Sequence, residues 1–205
     1  GLFGCTGYGQ GKFISLVGGN GTNGTILSST DGSTWTTGTI PSGYSMAEVA
    51  YGNGIFIATV SALLPISPSQ NALYSTDSIT WTVVTMPVQG AWQNIAYGNG
   101  IFIATPYAGV IAASTTTTAA SSTNGITWSL RTLPILANWG AMTYGNGIFS
   151  SLSQDGSTSA ASSTNGVTWT LRTLPNTGLL DNYLSSAYGN GIFLSPSYNS
   201  TTTAI

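Results

Sequence analysis

Charge is nearly absent from this chain of 205 residues: three cations (Lys12, Arg131, Arg172), five acids (Asp31, Glu48, Asp77, Asp155, Asp181) and no histidine. Globular chains usually carry charge on about a quarter of their residues, so this surface must be built from Ser, Thr, Asn, Gln and Gly. Three cations cannot neutralise a run of phosphates, which removes nucleic acid and an anionic membrane patch from the expected partners. The single cysteine, Cys5, excludes an internal disulfide and a multi-cysteine metal site. With imidazole missing as well, no metal and no cofactor is expected. No apolar run approaches the length of a membrane helix, so no membrane insertion is expected either. The chain starts at Gly1 and both begins and ends inside a repeat, as a piece of a longer polypeptide would.

What fills the chain instead is repetition. Ser-Thr-(Asp/Asn)-(Gly/Ser)-x-Thr-Trp occurs four times, ending at Trp35, Trp81, Trp128 and Trp169, with spacings of 46, 47 and 41 residues. Tyr-Gly-(Asn/Gln)-Gly-x-Phe alternates with it and starts at Tyr8, Tyr51, Tyr97, Tyr144 and Tyr188. A proline follows each motif tryptophan by six residues, at Pro41, Pro87, Pro134 and Pro175. A period in the forties marks stacked or ringed supersecondary units.

Each unit reads as four short strands, as the third shows. Trp92 to Tyr97 is the first strand and Ile101 to Thr105 the second, joined by Gly98-Asn99-Gly100. Ala119 to Thr123 is the third and Ile126 to Arg131 the fourth, joined by Asn124-Gly125. Asn-Gly or Asp-Gly between β-prone runs predicts a type I′ turn, with a slightly strained copy at Asp77-Ser78. Alternation in the fourth strand predicts Ile126, Trp128 and Leu130 on one buried side. The second strand is apolar at successive positions and should be covered on both faces. The fold expected is therefore all-β: a β-propeller of four-stranded antiparallel blades in one domain, 1–205, with units at about 1–41, 42–87, 88–134, 135–175 and 176–205. Five units imply five blades, and the last lacks a Thr-Trp strand, so it is expected to be incomplete or completed by a partner.

The Ser-Thr-Asp-Gly-x-Thr-Trp copies resemble the Asp-box of sialidases and other propellers, with one residue deleted between Asp and Gly and Asn replacing Asp in two of four copies. That resemblance implies a structural turn for Asp31, Asp77, Asn124 and Asn165, anchored by Trp35, Trp81, Trp128 and Trp169. The Asp/Asn exchange agrees, because either side chain can accept turn N–H groups, whereas metal binding or acid/base work would discriminate between them. Sialidase catalysis, as the family implies it, needs an arginine triad, a Tyr/Glu pair and an acid Asp. Here Arg131 and Arg172 occupy equivalent places on two units, and Glu48 has no basic neighbour in sequence. Glycosidases also need two convergent carboxylates. The chain is accordingly expected not to be an enzyme, with a degenerate sialidase-like hydrolase as the outlying alternative.

Paired with Tyr-Gly-Asn-Gly-x-Phe, the repeat also looks like those of phage virion proteins, especially tail, fibre and adhesin-like propellers. It implies a virion or extracellular component that binds a cell-surface glycan and other assembly subunits, or else a purely architectural decoration or filament subunit. Loop lengths add a location. From motif Phe to the next motif Ser the link is 16, 19, 20 and 14 residues, whereas from motif Trp to the next motif Tyr it is 16, 16, 16 and 19. Variable loops on a rigid scaffold commonly carry recognition, which singles out Tyr107 and Tyr198. A second set lies five residues before each motif Tyr and includes Trp92, Trp139 and Tyr183. Those rings could stack on a sugar beside Asn138, or fill the wedge between adjacent blades.

Overall fold

A computed structural model describes residues 3–17, 24–60, 69–107, 116–175 and 185–196. Eighteen strands account for the regular structure among them, and no helix is present in those residues. They form four antiparallel meanders of four strands each. Blade one is β1 (Phe3–Gly9), β2 (Lys12–Val17), β3 (Thr25–Ser29) and β4 (Thr36–Thr37). Blade two is β5 (Met46–Gly52), β6 (Ile55–Val60), β7 (Ser69–Ser75) and β8 (Thr82–Gly90). Blade three is β9 (Trp92–Gly98), β10 (Ile101–Pro106), β11 (Thr116–Ser122) and β12 (Ser129–Ala137). Blade four is β13 (Trp139–Gly145), β14 (Ile148–Ser153), β15 (Ser159–Ser163) and β16 (Thr170–Thr173). A fifth sheet has two strands, β17 (Ala187–Gly189) and β18 (Ile192–Leu194). The innermost strands pack in series, β1 on β5, β5 on β9, β9 on β13 and β13 on β17.

The Tyr-Gly pair explains that stacking. A Cβ on Gly98 would stand 2.1 Å from the ring of Tyr144 in the next blade, and one on Gly52 would stand 2.3 Å from Tyr97. The first glycine of the first four motifs is thus a seat for the next blade's tyrosine, and any side chain there would displace it. Each seated tyrosine stacks on its own blade's phenylalanine, with centroids 4.7 Å apart for Tyr51–Phe56 and 4.6 Å for Tyr97–Phe102. Phe56, Phe102 and Phe149 are fully buried. The second strands of blades two and three are covered on both faces as the sequence predicts: Phe102, Ile103 and Ala104 in succession are buried.

Two local expectations are corrected. The type I′ turns lie in the Tyr-Gly-Asn-Gly hairpins, where Asn53 and Gly54 hold φ of 48° and 80° and Asn99 and Gly100 hold 49° and 78°. In the other motif only the glycine is left-handed, as at Gly125 (φ 69°), and its degenerate counterpart Ser78 is forced to φ 69° without being a glycine. The fourth strand also starts later than the alternation suggests, at Ser129 in place of Ile126. Its parity is therefore reversed: Ile126 and Leu130 are about half exposed, while Leu133 is buried along with Trp128. The motif is a folded turn that places the indole inward, and the strand begins only after it. Pro87 and Pro134 lie within β8 and β12, the last strands of their meanders, where a missing N–H leaves no ladder partner unsatisfied.

Candidate functional site

The two ends of the blades differ in kind. At one end the Ser-Thr-(Asp/Asn)-Gly turns repeat one hydrogen-bond network. Ser122 Oγ accepts from Gly125 N–H at 2.7 Å, Asn124 Oδ1 accepts from Ile126 and Thr127 N–H at 3.0 and 2.8 Å, and Trp128 Nε1 donates to Gly125 O at 2.9 Å. Blade one does the same with Ser29, Asp31 and Trp35, and blade two with Ser75, Asp77 and Trp81. Blade four keeps the Ser163 and Asn165 bonds. The Trp169 Nε1 is buried without a partner. N–H groups of Thr34 and Ser33 hold the Asp31 carboxyl down at about 2, and those of Thr80 and Ile79 do the same for Asp77. All four anchor side chains act only as acceptors, of backbone N–H and of the motif serine's hydroxyl, which either Asp or Asn can do. Asn124→Ala is expected to lower unfolding free energy by about 1–2 kcal/mol and Asn124→Asp by less than about 0.5 kcal/mol in urea titrations. Equal losses in both variants would contradict an acceptor-only role.

Asparagines of the other hairpin tie these turns to neighbouring blades. Asn53 Nδ2 donates to Thr123 O at 2.8 Å and to Gly100 O at 3.3 Å, while Tyr97 Oη donates to Asn53 Oδ1 at 2.6 Å. Asn99 Nδ2 reaches Thr164 O at 3.4 Å in the same way. In blades two to four these bonds hold each blade to the next.

At the opposite end lie the connectors between the first four blades and the short link between β14 and β15. The polar groups here do not repeat. Asp155, in the short link of blade four, accepts from Ser153 Oγ at 2.5 Å, Ser157 N–H at 3.0 Å and Asn138 N–H at 3.3 Å. Burial raises its pKa, but these donors together outweigh burial and leave it lowered. Glu48 sits deep on β5 with part of its surface still reaching water. Its carboxylate accepts Ile95 N–H of the next inner strand at 2.7 Å. Burial pushes its pKa up to about 7 despite that bond. Thr59 Oγ1 closes the group, accepting from Glu48 N–H at 3.1 Å and donating to Gln93 O at 3.1 Å.

The aromatic candidates fall otherwise than a stacking platform requires. Trp92 and Trp139 are both 0% exposed, each wedged against the preceding blade, with indole N–H groups donating to Val88 O and Ile135 O at 3.2 Å. No face of either ring is open to a sugar. Apolar wedge-filling wins because the space between two twisted blades is closed at this level by the large ring itself. Asn138 is 9% exposed and its carbonyl accepts Gln154 N–H at 2.8 Å. Tyr107 is half-buried, its N–H on Ala91 O at 2.8 Å. Tyr183 and Tyr198 lie outside the described residues, as do most of the variable links. Arg131 and Arg172 occupy equivalent positions, their Nε atoms on Ser121 and Ser162 Oγ at 2.7 and 2.8 Å. Among the described residues no cluster of three or more His, Cys, Asp or Glu could hold a metal ion.

Four-stranded meanders stacked through their inner strands define a β-propeller. The chain aligns over 96% of its length with a catalytically inactive virginiamycin B lyase from Staphylococcus aureus bound to quinupristin, at 13% identity and a TM-score of 0.76. It aligns over 94% with a streptogramin B lyase, at 14% identity and 0.74, and over 95% with YCF48 bound to D1 peptide, at 14% and 0.64. It covers 63%, 60% and 60% of those chains, so it spans about three-fifths of their length. At such identities the likeness is one of fold. No family model and no curated protein matches the chain.

The comparison corrects one expectation. Scarcity of titratable groups argues above for a chain that is not an enzyme. That argument fails, because the fold shared over nearly the whole chain is one on which a lyase is built. Glu48 weakens it further: burial raises its carboxyl pKa to about 7, and the sequence argument dismissed it for lacking a basic neighbour. Burial is the larger perturbation and the Ile95 N–H opposes it, a signal that a single acid on an inner strand could have given.

Proposed function

We propose that the chain is a propeller module of a virion or other extracellular surface assembly, a phage tail or fibre component, that engages a cell-surface glycan through its connector end. The observation that carries this reading is the asymmetry between the ends. One carries the repeated turn network, while the other holds the polar groups that do not repeat, Glu48, Asn138 and Asp155. A neutral, hydroxyl- and amide-rich surface suits a neutral sugar. Tyr107 takes the role of ring partner in place of the buried Trp92 and Trp139.

The test is a glycan array followed by host-cell adsorption, using the intact chain and Tyr107→Ala. Binding is expected to survive a rise from about 0.05 to 0.5 M salt, because a neutral sugar brings no charge to screen. Tyr107→Ala should weaken it about tenfold, the share of one stacked ring. Absence of binding to any glycan, or binding that collapses with salt, sinks the reading. Glu48 motivates a catalytic arm in the same experiment. Turnover of a fluorogenic sialoside that vanishes in Glu48→Gln would move the module to glycoside hydrolysis. The architectural alternative draws on the exposed aromatic ring faces of blade one: Tyr8, Phe13 and Trp35 are 63%, 44% and 39% exposed, where their blade-two counterparts Phe56 and Trp81 are covered.

A further inference from the structure

A cleft of about 440 Å³ opens between blade four and the two-stranded fifth sheet. Ile148, Ser150, Ala160, Arg172 and Leu174 form its wall, and Phe193 of β18 its inner rim. The same wall exists on blade three, where Ile101, Ile103, Ala119, Arg131 and Leu133 occupy the equivalent positions. There it is covered: Ile103 and Ala119 are 0% exposed, and Trp169 of blade four packs on both groups. On blade two, Ile55, Ile57, Ala72 and Val84 are covered by Trp128 in the same way. The turn glycine completes each joint. A Cβ on Gly125 would meet Ile55 at 2.5 Å, and one on Gly166 would meet Ile103 at 2.3 Å.

Among the described residues, blade four has the wall without the cover. Ile148 and Ser150 are half-buried, and Arg172 is exposed. Phe193 is half-buried where the other three motif phenylalanines beyond blade one are sealed. Asn53 and Asn99 bond the carbonyl of a motif threonine in the following blade, but among the described residues Asn146 has no such acceptor. Among the described residues β18 pairs with β17 alone.

We propose that this cleft is a docking site for the outer hairpin of one further repeat, a β-hairpin carrying Ser-Thr-(Asp/Asn)-Gly-x-Thr-Trp. Its leading strand pairs with the edge of β18, its tryptophan fills the cleft over Ala160 and Leu174, its glycine settles on Ile148, and its threonine carbonyl meets Asn146. The occupant is identified by shape and by polar complement, since two joints in the chain show the same wall filled by the same element. Edge pairing supplies backbone hydrogen bonds, and the buried indole supplies selectivity.

The experiment uses the 205-residue chain and a synthetic peptide of its own residues 116–137, which carry one such hairpin. Saturable one-to-one binding is expected by calorimetry, with the peptide's indole emission shifting to the blue. Trp128→Ala in the peptide should weaken binding about thirtyfold, the loss of a buried aromatic anchor. On the chain, Ser150→Trp places a ring in the open cleft and should block the peptide while leaving circular dichroism and the melting temperature unchanged. If that variant fails to fold, Asn146→Ala, at an exposed turn, serves instead and should weaken binding severalfold. The proposal is overturned if the peptide does not bind, if the Trp128→Ala peptide binds equally well, or if a folded Ser150→Trp chain still takes it up. Self-association of the chain that the peptide does not compete away also overturns it, because a different element of a second copy would then cover the cleft.

Discussion

Trp92→Ala is expected to lower the unfolding free energy by about 3–5 kcal/mol, and Trp139→Ala by a similar amount. For a chain of this length that is a fall in melting temperature on the order of 10 °C. Both rings are fully buried, so each deletion leaves a cavity that stiff blade backbones cannot collapse around. Trp92 packs with Ile57, Val84 and Met86 of blade two as well as with Ile95 and Phe102 of its own blade. Its removal therefore loosens a joint between blades and leaves Val88 O without its indole donor. Trp92→Phe should recover most of the packing and forgo the hydrogen bond, costing about 1–2 kcal/mol. Thermal and urea unfolding of the three variants separates this role from ligand stacking. A stacking ring would leave stability nearly unchanged and abolish sugar binding. An unchanged melting temperature in Trp92→Ala would show that the wedge is not what holds blades two and three together.

The burial of these rings marks the boundary of what the residues disclose. The unit of four strands was legible because turn chemistry and strand composition act within about ten residues. The asparagine and glycine of Tyr-Gly-Asn-Gly need left-handed backbone wherever they occur, and Ile101 to Ala104 is too apolar to meet water on either side. What lay between units was not legible. Trp92 touches Val84 and Ile57 through stacking of successive blades, and a pattern read along one unit cannot tell a side facing a neighbour from a side facing solvent. The same blindness hid the purpose of Gly98, which reads as a turn residue but is kept small for Tyr144. It also hid the parity of the fourth strand. Ser-Thr-Asn-Gly-x-Thr-Trp looks like the start of a strand, yet its side chains fold it back on itself, so Leu130 faces outward and Arg131 inward. Glu48 is a further instance: in sequence it is a lone acid without a basic partner, and only the stacking of β5 against β9 shows its carboxylate on the Ile95 amide in a dehydrated place.

Stability is expected to fall by about 2–3 kcal/mol as pH rises from about 4.5 to 7.5, and Glu48→Gln is expected to abolish that fall. Burial raises the folded-state pKa of Glu48 from 4.5 to about 7, so the fold favours the protonated carboxyl relative to the unfolded chain. Its stabilising contribution is thus fully present below the unfolded pKa and is lost as pH passes through the folded one. Residual water contact keeps the magnitude below the full value that such a shift would carry in a dry interior. The background is unusually clean. With no histidine in the chain, little besides the α-amino group titrates in that window. Asp31 and Asp77, held at about 2 by their turn N–H groups, contribute in the opposite sense. Their stabilisation is present above the unfolded carboxylate pKa and disappears only in strong acid. The wild-type profile should therefore rise from strong acid to a maximum near pH 4–5 and then decline to a plateau above pH 8. Glu48→Gln keeps an acceptor for Ile95 N–H without the ionisation, so it should match wild type near pH 4.5 and exceed it at pH 8. Urea midpoints at pH 4.5, 6 and 8 for both proteins decide the matter. A wild-type profile that is flat from 4.5 to 8 would mean that the carboxylate ionises at its ordinary pKa, with water reaching it through the ring of blades, and it would remove Glu48 from consideration as a proton donor near neutrality.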